Sequence, residues 1–108
     1  MIKIVNTQNR HVPSAARILF EAYYSSLNNA KKYLIKKIRT GESFVALENN
    51  AVVGVLIYAR DYSHYANYIE DLAISKKYMK KGIAKKLLEK YCLADMGLSK
   101  FKYITQEV

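Results

Sequence analysis

Between Tyr68 and Leu88 the sequence places side chains that suit the binding of a phosphorylated ligand. A strand-like run ends at Ser75. A short loop follows with Lys76, Lys77, Lys80 and Lys81, and Gly82 then opens a helix. A helix N-terminus presents unpaired amide hydrogens and a partial positive charge, so it attracts anions. Gly82 lets a ligand approach the backbone with no side chain in the way, and Ala84 is small enough to keep that approach open. The loop lysines add long-range attraction. Together they read as a pyrophosphate cradle. Other reactive residue types lack partners. His11 and His64 are isolated, without metal-ligand spacing, and suit surface or capping positions. Cys92 sits in an apolar helical pattern and reads as a small buried hydrophobe. No zinc-type Cys/His cluster and no Walker-type loop is present.

The elements that must position the cradle follow from periodicity. Ile2 to Val5 read as a first strand and Asn6 to Arg10 as a polar turn. Pro13 and Ser14 open a helix whose apolar face is Ala16, Leu19, Phe20 and Tyr23. Asn28 and Asn29 break it, and one of them caps the next. Tyr33, Leu34, Ile35 and Ile38 carry that second helix. Lys31, Lys32, Lys36, Lys37 and Arg39 form its solvated face, and Gly41 ends it. Ser43 to Glu48 and Ala51 to Arg60 are strands joined by an Asn49-Asn50 hairpin, with Gly54 at a bulge or close approach. Asn67 to Ser75 is a third strand of this group. Gly82 to about Met96 is a helix with an apolar stripe of Ile83, Leu87, Leu88, Tyr91 and Cys92. Phe101 to Val108 is a last strand. The order is β-α-α-β-β-β-α-β: an α/β class with a mixed sheet, an antiparallel meander followed by a right-handed parallel step.

Bulk properties bound the partners. The 108 residues fit a single domain, 1–108. A hydrophobic fraction of 51% supplies one core. No apolar run approaches the ~20 residues of a membrane span, and the start lacks the apolar region of a signal peptide, so the cytoplasm is the expected compartment. The formal charge of +9 implies an anionic partner. Nucleic acid is not expected, because no reading motif accompanies the charge. Ten tyrosines with no tryptophan read as composition more than as function.

The stretch resembles the acetyl-coenzyme A motif of the GNAT N-acetyltransferases, Gln/Arg-x-x-Gly-x-Gly/Ala between a strand and a helix. Gly82 and Ala84 fall on the two small-residue positions. The resemblance implies that Lys80, Lys81, Gly82, Ile83, Ala84 and Lys85 give amides to the pyrophosphate, and that Leu72, Ala73 and Ile74 pair with the pantetheine arm. Met79 stands where the family has Gln or Arg, so one polar contact is missing. Locally the likeness is greatest to polyamine (diamine) acetyltransferases, through the strand-end pair Glu70-Asp71. With Asp61, that pair would give a local acidic site for a cationic acceptor. The family continues with a further helix and two strands, so the resemblance implies a GNAT-like fold shortened at its C-terminus. The missing part usually carries the tyrosine that protonates the leaving thiolate; Tyr103 is a weak substitute.

The resemblance implies direct acetyl transfer from acetyl-coenzyme A to a primary amine, on a small amine, a polyamine or a protein. Glu70 is the candidate base, against the reading of Glu70 as an ordinary strand-end carboxylate. Backbone amides of the third strand would polarise the thioester. The alternative is a shortened, non-catalytic module that binds coenzyme A or a protein partner. A last strand near an open edge seeks a partner, so a homodimer is expected; a clean monomer in light scattering would contradict it.

Overall fold

The computed structural model describes residues 1–61 and 66–95. The strand expected at 101–108, its parallel step, Tyr103 and His64 lie outside them, as does the edge on which the expected homodimer rests. The described elements are β1 (Ile2–Asn6), α1 (Val12–Ala22), α2 (Leu27–Thr40), β2 (Ser43–Glu48), β3 (Ala51–Asp61), β4 (Ala66–Ile74) and α3 (Ile83–Asp95). Among the described residues the sheet is ordered β1-β2-β3-β4, with every neighbouring pair antiparallel. No helix of the described residues is long and apolar enough to cross a membrane.

Both faces of the sheet are covered, because alternate strand residues feed two cores. Val45, Leu47, Val55 and Ile57 pack with Ala15, Leu19, Ala30 and Leu34 of α1 and α2. Phe44, Ala46, Leu56 and Tyr58 pack with Ile83, Leu87, Leu88 and Tyr91 of α3. The helices thus clamp the sheet from opposite sides, and α3 is held where β4 hands the chain over to it. Cys92 is buried in the second core, and burial pushes its thiol above the usual range. It should resist thiol reagents in the native protein and react only on unfolding, as disulfide-exchange labelling would show.

Local chemistry moves some expected boundaries. A 3-10 turn at Asn9–His11 precedes α1. His11 is buried there and takes the capping one of its two expected positions: its Nδ1 accepts the Gln8 N–H at 3.0 Å. Phe20 and Tyr23, expected on the apolar face of α1, are exposed. Asn28 and Asn29 do not break a helix; both lie inside α2. Ser26 is the cap, in extended conformation, its Oγ accepting the Asn29 N–H at 3.0 Å. Gly41 does end α2, at φ +73°. Asn49 and Asn50 both have positive φ, 50° and 68°, the backbone a two-residue hairpin requires.

The β2–β3 register skips Val53, so Gly54 turns its Cα toward α3 beside this bulge. A Cβ there would lie 2.9 Å from Ile74 Cδ1, 3.2 Å from Ile83 Cγ2 and 3.3 Å from Leu87 Cδ1. Gly54→Val should therefore cost about 1–3 kcal/mol through overpacking. Chemical denaturation measures it, and an unchanged midpoint would contradict the close approach.

Candidate active site

The carboxylates Glu70 and Asp71 are adjacent in sequence, and a regular strand would send them to opposite faces. In β4 they face the same side. Ile57 pairs with Asp71 and Tyr58 with Ile69, so Glu70 has no cross-strand partner and forms a bulge. The bulge turns both side chains toward the α1–α2 layer. There the Tyr33 hydroxyl donates to Glu70 Oε1, and the Tyr24 hydroxyl donates to Asp71 Oδ2 at 2.7 Å. Burial, then hydrogen bonding to the carboxylates, holds both phenols well above their ordinary titration range, so they act as fixed donors.

Glu70 is also ion-paired. Lys37 Nζ lies 3.0 Å from its Oε1 and 3.4 Å from Glu42 Oε1, and donates to the Tyr58 carbonyl at 2.7 Å. Lys37 was expected on the solvated face of α2, yet its side chain is 8% exposed. The spacing explains this: Ala30, Leu34 and Lys37 are the buried residues of α2, at i, i+4 and i+7 on one helix face. Lys32, Lys36 and Arg39 do face solvent. Burial works to raise the Glu42 carboxyl, but Thr40, the Arg60 amide and Lys37 outweigh it and hold it below the usual range. The Arg60 N–H reaches Glu42 Oε2 at 2.8 Å. Lys37 therefore ties α2, the residue before β2, β3 and the β4 bulge together.

Next to the bulge the Tyr23 hydroxyl donates to the Leu72 carbonyl. The Ser75 amide donates to the Val53 carbonyl at 2.8 Å, so by alternation the backbone groups of Ala73 face β3 while those of Leu72 and Ile74 point away from it. Beyond Ser75 a 3-10 turn covers Lys76–Tyr78, and Met79 is exposed. Lys80 then takes φ +64° and Gly82 φ +79°. A Cβ on Gly82 would meet nothing within 4 Å, so the left-handed backbone, rather than space, demands glycine there. The Gly82 carbonyl accepts the Lys86 amide at 3.2 Å, which makes Gly82 the residue that leads into α3. The amides of Ile83, Ala84 and Lys85 come in the first turn and have no intrahelical acceptor. The side chain of Ile83 is buried at 1% exposure, so Ile83 offers only its backbone. Lys81 Nζ lies over the Tyr78 ring at 5.5 Å.

Sequence reasoning names Glu70 and the loop residues around Gly82 but not their neighbours Tyr23, Tyr24, Tyr33 and Lys37. A Lys37 signal existed in the i, i+4, i+7 spacing; the tyrosine contacts join residues far apart in the chain and leave no local pattern. Asp61, expected to join an acidic site, closes β3; its side chain lies outside the described part of the structure.

With this geometry in hand, the family model described as Acetyltransferase (GNAT) family matches residues 12–107. The chain belongs to that family. No curated protein sequence matches it. Its fold is shared by a GNAT-family acetyltransferase from Bacillus cereus, with a TM-score of 0.74 at 19% identity over 86% of this chain and 63% of that one. A diaminobutyrate acetyltransferase from Paenibacillus lautus, solved with L-2,4-diaminobutyric acid and coenzyme A, aligns with a TM-score of 0.73 at 15% identity, covering 85% of this chain and 57% of its own. An N-acetyltransferase from Staphylococcus aureus gives 0.73 at 17% identity over 88% and 66%. The chain thus spans about three fifths of the length of the first of these, 63%.

Proposed function

We propose that this protein transfers the acetyl group of acetyl-coenzyme A to a primary amine. The observation that carries the reading is the connection from β4 to α3. It combines two left-handed residues, Lys80 and Gly82, with the open first turn of a helix and the cations Lys80, Lys81 and Lys85. Successive amides in such a turn form an anion-binding concavity, and its charge suits a pyrophosphate. Met79, Lys80, Lys81, Gly82, Ile83, Ala84 and Lys85 would line it. The Leu72 amide and the Ile74 amide and carbonyl, which point away from β3, would pair with an extended pantetheine arm, the Leu72 carbonyl being taken by Tyr23; Ala73 supports them from the β3 side. Coenzyme A in the Paenibacillus relative supports this ligand.

Acetyl-coenzyme A supplies an activated thioester. The chain's own residues do the rest. An amine must be neutral to attack, and Glu70 takes its proton directly or through a water. Glu70 Oε1 is engaged by Tyr33 and Lys37, which fixes the group and leaves Oε2 without a protein partner among the described residues. The amides of Leu72 and Ile74 would polarise the thioester carbonyl. As the nitrogen–carbon bond forms, the carbon–sulfur bond breaks and coenzyme A leaves as thiolate, and the proton shed by the acylated nitrogen passes through solvent to the thiolate.

The test is release of free thiol from acetyl-coenzyme A with a panel of primary amines, against a no-amine background. Amine-dependent release with an acetylated product is expected. Tight cofactor binding without turnover on any amine would overturn catalysis and favour a coenzyme A-binding module.

A further inference from the structure

Resting on the acetyl-transfer reading, we infer that the acceptor is a small amine that also carries a carboxylate, in the manner of a free diamino acid, and not a polyamine. Beside the β4 bulge lies an open groove of about 540 Å³ lined by Tyr24, Asn29, Lys32, Tyr33 and Lys36, within the range of small-molecule sites. The charged side chains of its lining are both lysines, and the carboxylates of β4 stand beyond the lining, across the tyrosine hydroxyls. The hydroxyls of Tyr24 and Tyr33 reach the carboxylates Asp71 and Glu70, the pair to which the acetyl-transfer reading brings the amine. The rings of Tyr24 and Tyr33, with centroids 6.3 Å apart, make an apolar wall for a short methylene chain. The outer rim is cationic: Lys32 and Lys36 line it, and Lys36 Nζ sits 6.0 Å from the centre of the Tyr33 ring. One tyrosine ring therefore separates a cation from Glu70.

A polyamine laid along this groove would put its second ammonium beside Lys32 and Lys36, a like-charge contact in a chain that already carries +9. A carboxylate at that end reverses the sign. The Glu70-Asp71 pair alone would favour any cationic amine; the lysine rim is what discriminates.

The matched probes are ornithine and 1,4-diaminobutane, which differ by one carboxylate. At low salt kcat/KM should favour ornithine by about fivefold or more, and the preference should shrink as salt screens the exposed lysines. In Lys32→Gln/Lys36→Gln the ratio should fall toward one. Equal rates, a diamine preference, or a ratio unmoved by the double variant would overturn the inference. So would faster acetylation of a peptide amine flanked by acidic residues than of ornithine. If neither probe is acetylated, the ring resonances of Tyr24 and Tyr33 decide separately. Shifts with ornithine exceeding those with the diamine keep the site while sinking catalysis; no shift with ornithine sinks the site itself.

Discussion

Lys37→Met should destabilise the protein by about 3 kcal/mol, because removing one member of a buried ionic cluster leaves the others uncompensated. Lys37 Nζ has three partners: Glu70 Oε1, Glu42 Oε1 and the Tyr58 carbonyl. In the variant two carboxylates and a carbonyl lose their shared donor, and the carboxylates face one another. For a domain of this size the melting temperature should fall by roughly 12–20 °C. Lys36→Met, one position away on the exposed face, should stay within about 0.5 kcal/mol. The pH dependence carries a sign. The Glu42 carboxyl is held below its ordinary value of 4.5. Its contribution to stability is therefore present above that value and lost as pH falls through the lowered one. Without Lys37 that contribution shrinks, so the gap between the two proteins should close on acidification. A loss below about 1 kcal/mol at neutral pH would mean that water, and not Lys37, compensates the carboxylates.

Glu70→Gln should lower the rate of acetyl transfer by about a hundredfold, within the usual span for a positioned base. The glutamine oxygen still accepts from Tyr33, so the bulge keeps one of its two ties and loses the ion pair with Lys37. Affinity for acetyl-coenzyme A should hold, because the cradle lies at the other end of the β4–α3 connection. Raising the pH supplies neutral amine from solution, so the variant's rate should climb more steeply than the parent's. A loss under threefold, or an unchanged pH profile, would assign Glu70 a purely structural part.

How much of this could be read from the sequence follows from how local each cause is. Gly41, the Asn49-Asn50 turn and the strand-loop-helix around Gly82 depend on backbone conformations that few residues adopt, and they stand where local chemistry put them. Cys92 and the apolar stripe of α3 follow from helical spacing. The β4 bulge was hidden, because a skipped residue is a property of the pairing with β3 and not of the strand itself. Without the bulge, Glu70 and Asp71 would have been put on opposite faces. Periodicity puts Tyr23 and Tyr33 on helix faces, yet Tyr23 and Tyr24, just past the end of α1, and Tyr33 in α2 each reach β4. Lys37 misled because charge suggested solvent while its spacing suggested core. Ser26 beat the neighbouring asparagines as cap because the chain is still extended there and already helical at Leu27.

The cradle is the central claim, and calorimetric titration with acetyl-coenzyme A tests it most directly, with Gly82→Glu alongside. The Cβ it adds meets no atom within 4 Å, so the circular dichroism spectrum should stay intact. It forces a side chain into a left-handed backbone at about 1–2 kcal/mol and adds a carboxylate where phosphate should sit. Micromolar binding by the parent, weakened at least tenfold in the variant, is the expected result. No binding by the parent, or equal binding by both, would contradict the account.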